Sequence, residues 1–163
     1  MPPSRSRAAR YVGRGRPRRA QAAGPRRPGA GRQVHPELVE REAWGWGDDH
    51  RAQPLAVSRT QSTELGTVYS PDEIRAVADL AHSHGMAVHL DEARIWNAAA
   101  GLGLSFAAFT SEVGVDVLTF GGTKNGLLGT EAVVVLEPAR ASGLVYLRML
   151  TMQLTSKMRW SAA

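Results

Sequence analysis

Residues 70–91 have the sequence SPDEIRAVADLAHSHGMAVHLD, which contains a complete helix followed by a short strand. The first four residues mark a helix start, with a serine for the N-cap, a proline at the first helical position and a glutamate that closes a capping box. Apolar side chains then recur at helical spacing as far as Ala81, and Gly85 is typical of a helix end. The nearly all-apolar run Met86–Leu90 predicts a strand that is buried on both faces.

The same alternation of helix and strand continues on both sides of this stretch. Further strands are predicted at Leu55–Thr60, Val115–Phe120 and Ala132–Leu136, and further helices at Ile95–Ala100, at Phe106–Val113 and from Pro138 to Trp160. This order predicts an α/β domain with a mostly parallel sheet and flanking helices. The last two strands are joined too tightly for a helical crossover, so they either pair antiparallel or lie at a sheet edge.

Charge divides the chain into an arm, residues 1–33, and a domain, residues 34–163. The arm has ten arginines and no acidic residue, whereas the rest has ten basic and fifteen acidic residues. Its composition predicts disorder. A nucleic-acid-binding tail, a targeting peptide and unselected sequence are the alternatives for the arm. We favour the last, because the arginines are not regularly interleaved with aromatic residues, Tyr11 being the one aromatic in the arm, and no folded nucleic-acid module adjoins them.

Two absences limit the class of protein. The chain has no cysteine, which excludes disulfides and thiolate metal sites. No apolar run is long enough for a signal sequence or a membrane span. We therefore expect a cytoplasmic protein without a membrane partner.

Two polar residues follow predicted strands, and their chemistry is complementary. Asp91 follows Met86–Leu90, and Lys124 lies in the glycine-rich loop after Val115–Phe120. Ligands of open α/β sheets bind outside the carboxyl ends of the strands. The chain has two lysines against eighteen arginines, and only lysine can lose its proton and form an imine with a carbonyl group. An aspartate and such a lysine in one crevice are the parts of a pyridoxal phosphate site.

Four segments resemble the threonine aldolase family. HLDEAR at 89–94 resembles its aspartate motif and FGGTKNG at 120–126 its lysine motif, while 63–69 and 153–159 resemble segments on either side of them. The four occur in the order and at the spacing of the family. The resemblance covers about residues 34 to 160 and implies the large domain of a fold-type-I pyridoxal phosphate enzyme, present in part.

The resemblance also implies an activity and the residues that perform it. The reaction is cleavage of a β-hydroxy-α-amino acid to glycine and an aldehyde. Lys124 would bind the cofactor covalently, and Asp91 would face its pyridine nitrogen. Arg94 would lie beside the cofactor's phenolic oxygen and the substrate carboxylate, and His50 near the substrate hydroxyl. Complete members of the family are expected to form homo-oligomers.

Departures from the family leave alternatives open. Glu92 replaces a glycine of the motif, where it would crowd the cofactor or add charge near Asp91. Residues 1–33 do not match the family's phosphate-binding segment, so we expect a fragment with impaired or no activity alone. A different β-eliminating lyase using the same lysine and aspartate, a non-catalytic truncated product and an arginine-tail nucleic-acid binder are the other hypotheses.

Overall fold

A computed structural model describes residues 33–44, 47–63 and 65–153, and its strands form one mixed sheet. The sheet order is β1-β2-β3-β4, and the strands are β1 Ala56–Thr60, β2 Ala87–Asp91, β3 Val117–Gly121 and β4 Glu131–Val135. The first three are parallel to one another, and β3 and β4 are antiparallel. The predicted α/β class with a mostly parallel sheet is confirmed, and the tightly joined last pair is antiparallel.

In the described part of the chain, four α-helices accompany the sheet: α1 Pro36–Glu42, α2 Pro71–Ser83, α3 Ile95–Leu102 and α4 Leu144–Leu150. The predicted capping box of α2 is present. The Ser70 hydroxyl accepts a hydrogen bond from the Glu73 amide at 3.3 Å, and the Glu73 carboxylate accepts one from the Ser70 amide at 2.8 Å. The chain turns away after α2 at Gly85, whose φ is +71°. Local chemistry therefore sets both ends of this helix.

The core lies on one face of the sheet. Its buried members come from β1–β3, α2, α3 and the turns before β3, and include Val57, Ile74, Val77, Val88, Leu90, Ile95, Phe109 and Leu118. On the other face, Ser58 is exposed, His89 and Thr119 are half-buried, and Val133 is 57% exposed. The prediction that Met86–Leu90 is covered on both faces is therefore wrong for the described part of the chain, because α2 and α3 pack on one face only.

Three helix predictions need correction. The helix from Ile95 runs to Leu102, two residues beyond the predicted end, and stops at Gly103, whose φ is +66°. The predicted helix Phe106–Val113 is two 3₁₀ turns that are broken at Thr110, whose hydroxyl donates to the Phe106 carbonyl at 2.6 Å. The tail is also not one long helix.

The tail from Pro138 begins with a 3₁₀ turn, Pro138–Ala141, and continues as the short helix α4. Gly143 separates the two at a φ of +83°, a left-handed conformation that interrupts a right-handed helix. The predicted continuation to Trp160 lies outside the described residues from 154 onward. Within the described part of the chain, no helix combines the length and apolarity needed to cross a membrane.

A buried carboxylate anchors the edge of the sheet at which the parallel strands begin. Asp116 is 2% exposed and directly precedes β3. Its side chain accepts from the Val88 amide at 2.7 Å and pairs with His82 at 2.9 Å and with Arg140 at 3.2 Å. Its backbone carbonyl accepts from the amides of Leu136 and Glu137, just after β4. One residue thus joins α2, β2, β3 and the segment that follows β4, beside a cavity of about 290 Å³.

Candidate active site

The parallel pairing of β2 and β3 brings the predicted aspartate and lysine to the same edge of the sheet. Asp91 is the last residue of β2, and its Cα partner is Thr119 of β3. Lys124 lies in the 3₁₀ turn Thr123–Asn125, three residues past the end of β3. The two strands are parallel neighbours, which is the condition under which both residues reach one crevice. Both residues therefore lie at the carboxyl edge, opposite the Asp116 cluster.

The turn that carries Lys124 is closed by backbone hydrogen bonds and requires its glycines. The Gly122 amide donates to the Thr130 carbonyl at 2.5 Å, and the Gly122 carbonyl accepts from the amides of Asn125 and Leu127. A Cβ on Gly122 would lie 2.8 Å from the Thr130 carbonyl oxygen, which is shorter than such contacts allow. Glycine at this position lets the chain fold tightly after β3, and the Lys124 side chain remains exposed.

The segment after β2 carries the third predicted site residue. Arg94 is half-buried and is the N-cap residue of α3, where its carbonyl accepts from the Ala98 amide at 3.1 Å. The side chains of Asp91, Arg94 and Lys124 form no hydrogen bond or ion pair with any other residue that the structure describes. At this edge, all three charged groups are therefore without a bonded partner among the described residues.

Asn125 joins the two segments, a role that the sequence motif did not reveal. Its side-chain amide donates to the Ala93 carbonyl at 3.1 Å and to the Gly121 carbonyl. Ala93 belongs to the segment after Asp91, and Gly121 ends β3. The position of this asparagine directly after Lys124 was the available signal, but its partner is 32 residues away and cannot be read from a local pattern.

Glu92 is an unpartnered acid in the interior. Its side chain is 0% exposed, and neither carboxylate oxygen has a hydrogen-bond partner among the described residues. Burial, followed by the negative charge of Asp91, raises the pKa of Glu92 to about 8. Glu92 is therefore protonated at neutral pH, because an unpaired buried carboxylate is costly. It therefore adds no negative charge near Asp91 at neutral pH, and of the two effects expected from the sequence the added charge is not found.

A second polar group, also not anticipated, lies on the same face of β2 as Asp91. The His89 ring bonds to the Ser58 hydroxyl through Nδ1 at 2.8 Å and to the Thr119 hydroxyl through Nε2 at 3.0 Å. Burial lowers the pKa of His89, and the charge of Asp91 opposes that shift. The imidazole is therefore neutral, and its two hydrogen bonds link side chains of β1, β2 and β3. The alternation of side chains along a strand places it with Asp91.

His50 lies in the loop before β1, and no contact among the described residues joins it to this edge. It is exposed, and its backbone amide donates to the Asp48 carboxylate at 2.9 Å. Arg51 beside it pairs with Asp48 at 2.9 Å and stacks over Trp44 at 3.8 Å. Among the described residues, no hydrogen bond, ion pair or ring contact of His50 reaches Asp91 or Lys124.

The chemistry of the groups at the carboxyl edge fits pyridoxal phosphate. A primary amine, a carboxylate and a guanidinium match the cofactor's aldehyde, its pyridine nitrogen and its anionic oxygens, and they come from Lys124, Asp91 and Arg94 respectively. The described residues contain no group of three or more histidines and acids that is arranged to hold a metal ion. The amine, carboxylate and guanidinium at this edge are therefore the groups that an aldehyde cofactor of this kind would need.

Comparisons with known proteins agree with this fold and these motifs. A family model described as "Beta-eliminating lyase" matches residues 12–161. The chain is 45% identical over 116 residues to a low specificity L-threonine aldolase of Pseudomonas aeruginosa, covering 71% of this chain and 34% of that one. It is 39% identical over 133 residues to the enzyme of the same name from a Pseudomonas species, covering 82% and 38%.

A solved structure supports the fold. The structure of Leishmania major threonine aldolase aligns with a TM-score of 0.62 at 24% identity, over 72% of this chain and 34% of that chain. The chain thus spans little more than a third of the length of these bacterial relatives. At this identity the structural match concerns the fold alone.

Proposed function

Because this chain belongs to the beta-eliminating lyase family, we propose that it is part of a pyridoxal phosphate-dependent lyase of the threonine aldolase type. The reaction is cleavage of a β-hydroxy-α-amino acid of the L-threonine kind to glycine and an aldehyde. The observation that supports it most is the parallel β2–β3 pair, from which Asp91 and Lys124 leave at one edge. The activity belongs to the complete protein, and we expect this length of chain alone to retain little or none of it.

Each side chain at the carboxyl edge has a distinct task. The amine of Lys124 would attach the cofactor covalently, for which it must first lose a proton. The carboxylate of Asp91 would hold a proton on the pyridine nitrogen. The guanidinium of Arg94 would orient the substrate carboxylate and the phenolic oxygen of the cofactor. When bound, the cofactor supplies a sink for the electron pair that remains when the bond between the α- and β-carbons breaks.

Cleavage also requires a base that takes the proton from the β-hydroxyl group. His50 is the residue that the sequence resemblance proposes for this step, and histidine is the side chain that most often serves as a general base. The loop of His50 enters β1 at its amino end, so this assignment rests on the sequence resemblance and not on a contact. Replacement of His50 by alanine tests it separately from the cofactor residues.

The direct test is attachment of the cofactor to one particular lysine. The purified chain is mixed with pyridoxal phosphate, and the visible absorption band of the lysine-bound cofactor is recorded. We expect a band that Lys124→Ala abolishes and that Lys157→Ala retains, since these are the two lysines of the chain. A folded sample that shows no band dependent on Lys124 would refute the proposal for this chain and favour a non-catalytic product.

A second candidate is a different amino-acid β-eliminating lyase, which the description of the matching family favours. It would use Lys124 and Asp91 in the same way but would release a keto acid instead of glycine and an aldehyde. Incubation of the complete protein with L-threonine, followed by analysis of the products, separates the two. Glycine with acetaldehyde supports the aldolase, and a keto acid supports the eliminating lyase.

We further propose the setting in which the complete protein acts. Its substrate is a small amino acid, its location is the cytoplasm, and it assembles as a homo-oligomer. The names of the two Pseudomonas relatives support the class of substrate. Size-exclusion chromatography of the complete protein with multi-angle light scattering tests the assembly, and a monomer would refute it.

A further inference from the structure

The amide of Asn125 occupies a bridging position between the two halves of the candidate site. It directly follows Lys124 and ends the 3₁₀ turn after β3. Its Nδ2 donates to the carbonyls of Ala93 and Gly121, so its two N–H groups reach different segments of the chain. The two carbonyl acceptors also fix the orientation of the amide, because the flipped form would place Oδ1 against two other oxygens.

The bridge lies where the regular sheet pairing stops. The ladder between β2 and β3 ends at the pair Asp91 and Thr119, followed by one more bond from the Glu92 amide to the Thr119 carbonyl at 2.7 Å. Beyond that point the two backbones diverge, one into α3 and the other into the lysine turn. The side chain of Asn125 connects them again at Ala93.

The Asn125 bridge leaves one buried polar atom of the same side chain without a partner, which indicates a specific role for the two bonds that it does make. The Oδ1 atom of Asn125 is buried and accepts no hydrogen bond from the described residues. A buried acceptor without a partner destabilises the fold, and an apolar side chain would avoid that cost. The asparagine is therefore better explained by what its two donors connect than by filling space.

We propose that Asn125 is a positioning residue that holds the Lys124 turn in place against the segment following Asp91. It touches neither substrate nor cofactor and acts by fixing the distance between the amine and the carboxylate. This inference rests on the proposed function, because it concerns two groups that a bound pyridoxal phosphate would have to contact at once. Small displacements of such groups have large effects on the rate of reaction.

The test compares Asn125→Asp with a matched variant, Asn97→Asp. Aspartate has the shape of asparagine but replaces both donors by an oxygen that would face two carbonyl oxygens. Asn97 is exposed on α3, so Asn97→Asp makes the same chemical change at a position away from the Asn125 bridge. Asn125→Ala, which introduces no charge, serves if the aspartate variant does not fold.

Two measurements test the Asn125 bridge and the proposed cofactor binding separately. The first is hydrogen exchange in the absence of cofactor, in which a peptide covering 92–96 is compared with a peptide covering 56–60. The second is the rate of covalent capture of pyridoxal phosphate, fixed by borohydride as a stable secondary amine and located by peptide mass analysis. Lys157 reports the reactivity of an ordinary lysine in the same sample.

We expect Asn125→Asp to raise exchange at 92–96 about tenfold while exchange at 56–60 stays constant, and to slow capture at Lys124 about tenfold relative to Lys157. Asn97→Asp should change neither measurement. Unaltered capture at Lys124 in a folded Asn125 variant would overturn the proposal. If the wild-type chain captures no cofactor at Lys124, the proposed function fails; unaltered exchange at 92–96 would then overturn the bridge as well.

Discussion

Replacing Glu92 with glutamine should make the stability of the folded chain less sensitive to rising pH. The folded chain keeps a proton on Glu92 up to a pKa of about 8, whereas the unfolded chain releases it near the ordinary value of 4.5. Between these values the unfolded state binds fewer protons than the folded state. The free energy of unfolding therefore falls as the pH rises through this interval, and the contribution is fully present only below it.

The magnitude follows from this difference of one proton. Each pH unit removes about 1.4 kcal/mol, so the step from pH 5 to pH 8 removes about 4 kcal/mol. That is a large part of the roughly 5–15 kcal/mol that stabilises a typical domain. Glutamine has the same shape and cannot ionise, so the variant should match the wild type near pH 5 and exceed it by about 4 kcal/mol at pH 8.

Urea unfolding followed by tryptophan fluorescence, at intervals from pH 5 to pH 9, measures this difference. Glu112→Gln is the control, because Glu112 is exposed on the 3₁₀ turn Ser111–Val113. Its curve should run parallel to that of the wild type. If the Glu92→Gln curve is also parallel to the wild type, Glu92 does not hold a buried proton and the reasoning fails.

Three further predictions concern single residues. Ser70→Ala removes the capping box with Glu73 and should lower the free energy of unfolding by about 1–2 kcal/mol in urea titrations; an unchanged midpoint would contradict the role of the cap. Gly122→Ala places a Cβ 2.8 Å from the Thr130 carbonyl and should slow cofactor capture at Lys124 by displacing the turn, whereas equal capture rates would show that the turn tolerates it. His50→Ala should leave cofactor capture unchanged because His50 precedes β1, and a marked loss would place it at the lysine edge.

The sequence predicted best what neighbouring residues determine. The start of α2 follows from Ser70 and Glu73, which lie three positions apart, and its end follows from Gly85. The parallel β2–β3 pair was predictable in the same way, since alternation of helix and strand favours a parallel sheet. With the strand order known, Asp91 and Lys124 follow at the same edge.

Errors arose where side chains or single glycines override local preference. The stretch Phe106–Val113 has helical spacing, but the Thr110 hydroxyl bonds to a backbone carbonyl and the chain forms two tighter turns. The tail has apolar residues suited to a long helix, but Gly143 adopts a left-handed conformation. Neither the Thr110 hydrogen bond nor the Gly143 conformation alters the spacing of the apolar residues, on which the helix predictions rested.

The buried acid and the asparagine bridge depend on contacts between distant parts of the chain. The burial of Glu92 results from the packing of the elements around it, so its raised pKa cannot be derived from the motif in which it occurs. The bond from Asn125 to Ala93 spans 32 positions. A sequence pattern selects such residues as candidates, and only the fold supplies their partners.

The Asp116 cluster has a consequence for how freely this chain can vary. The β3–β4 hairpin is fastened at the end far from its loop, because the Asp116 carbonyl accepts from the amides of Leu136 and Glu137 at 2.8 and 3.1 Å. Strand registration is therefore secured at this end as well as at the loop end, where the Gly122 amide donates to the Thr130 carbonyl. Insertions between Leu127 and Thr130 should therefore leave the pairing of β3 with β4 intact, so that the connection beside Lys124 can vary in length while the sheet that presents it stays the same.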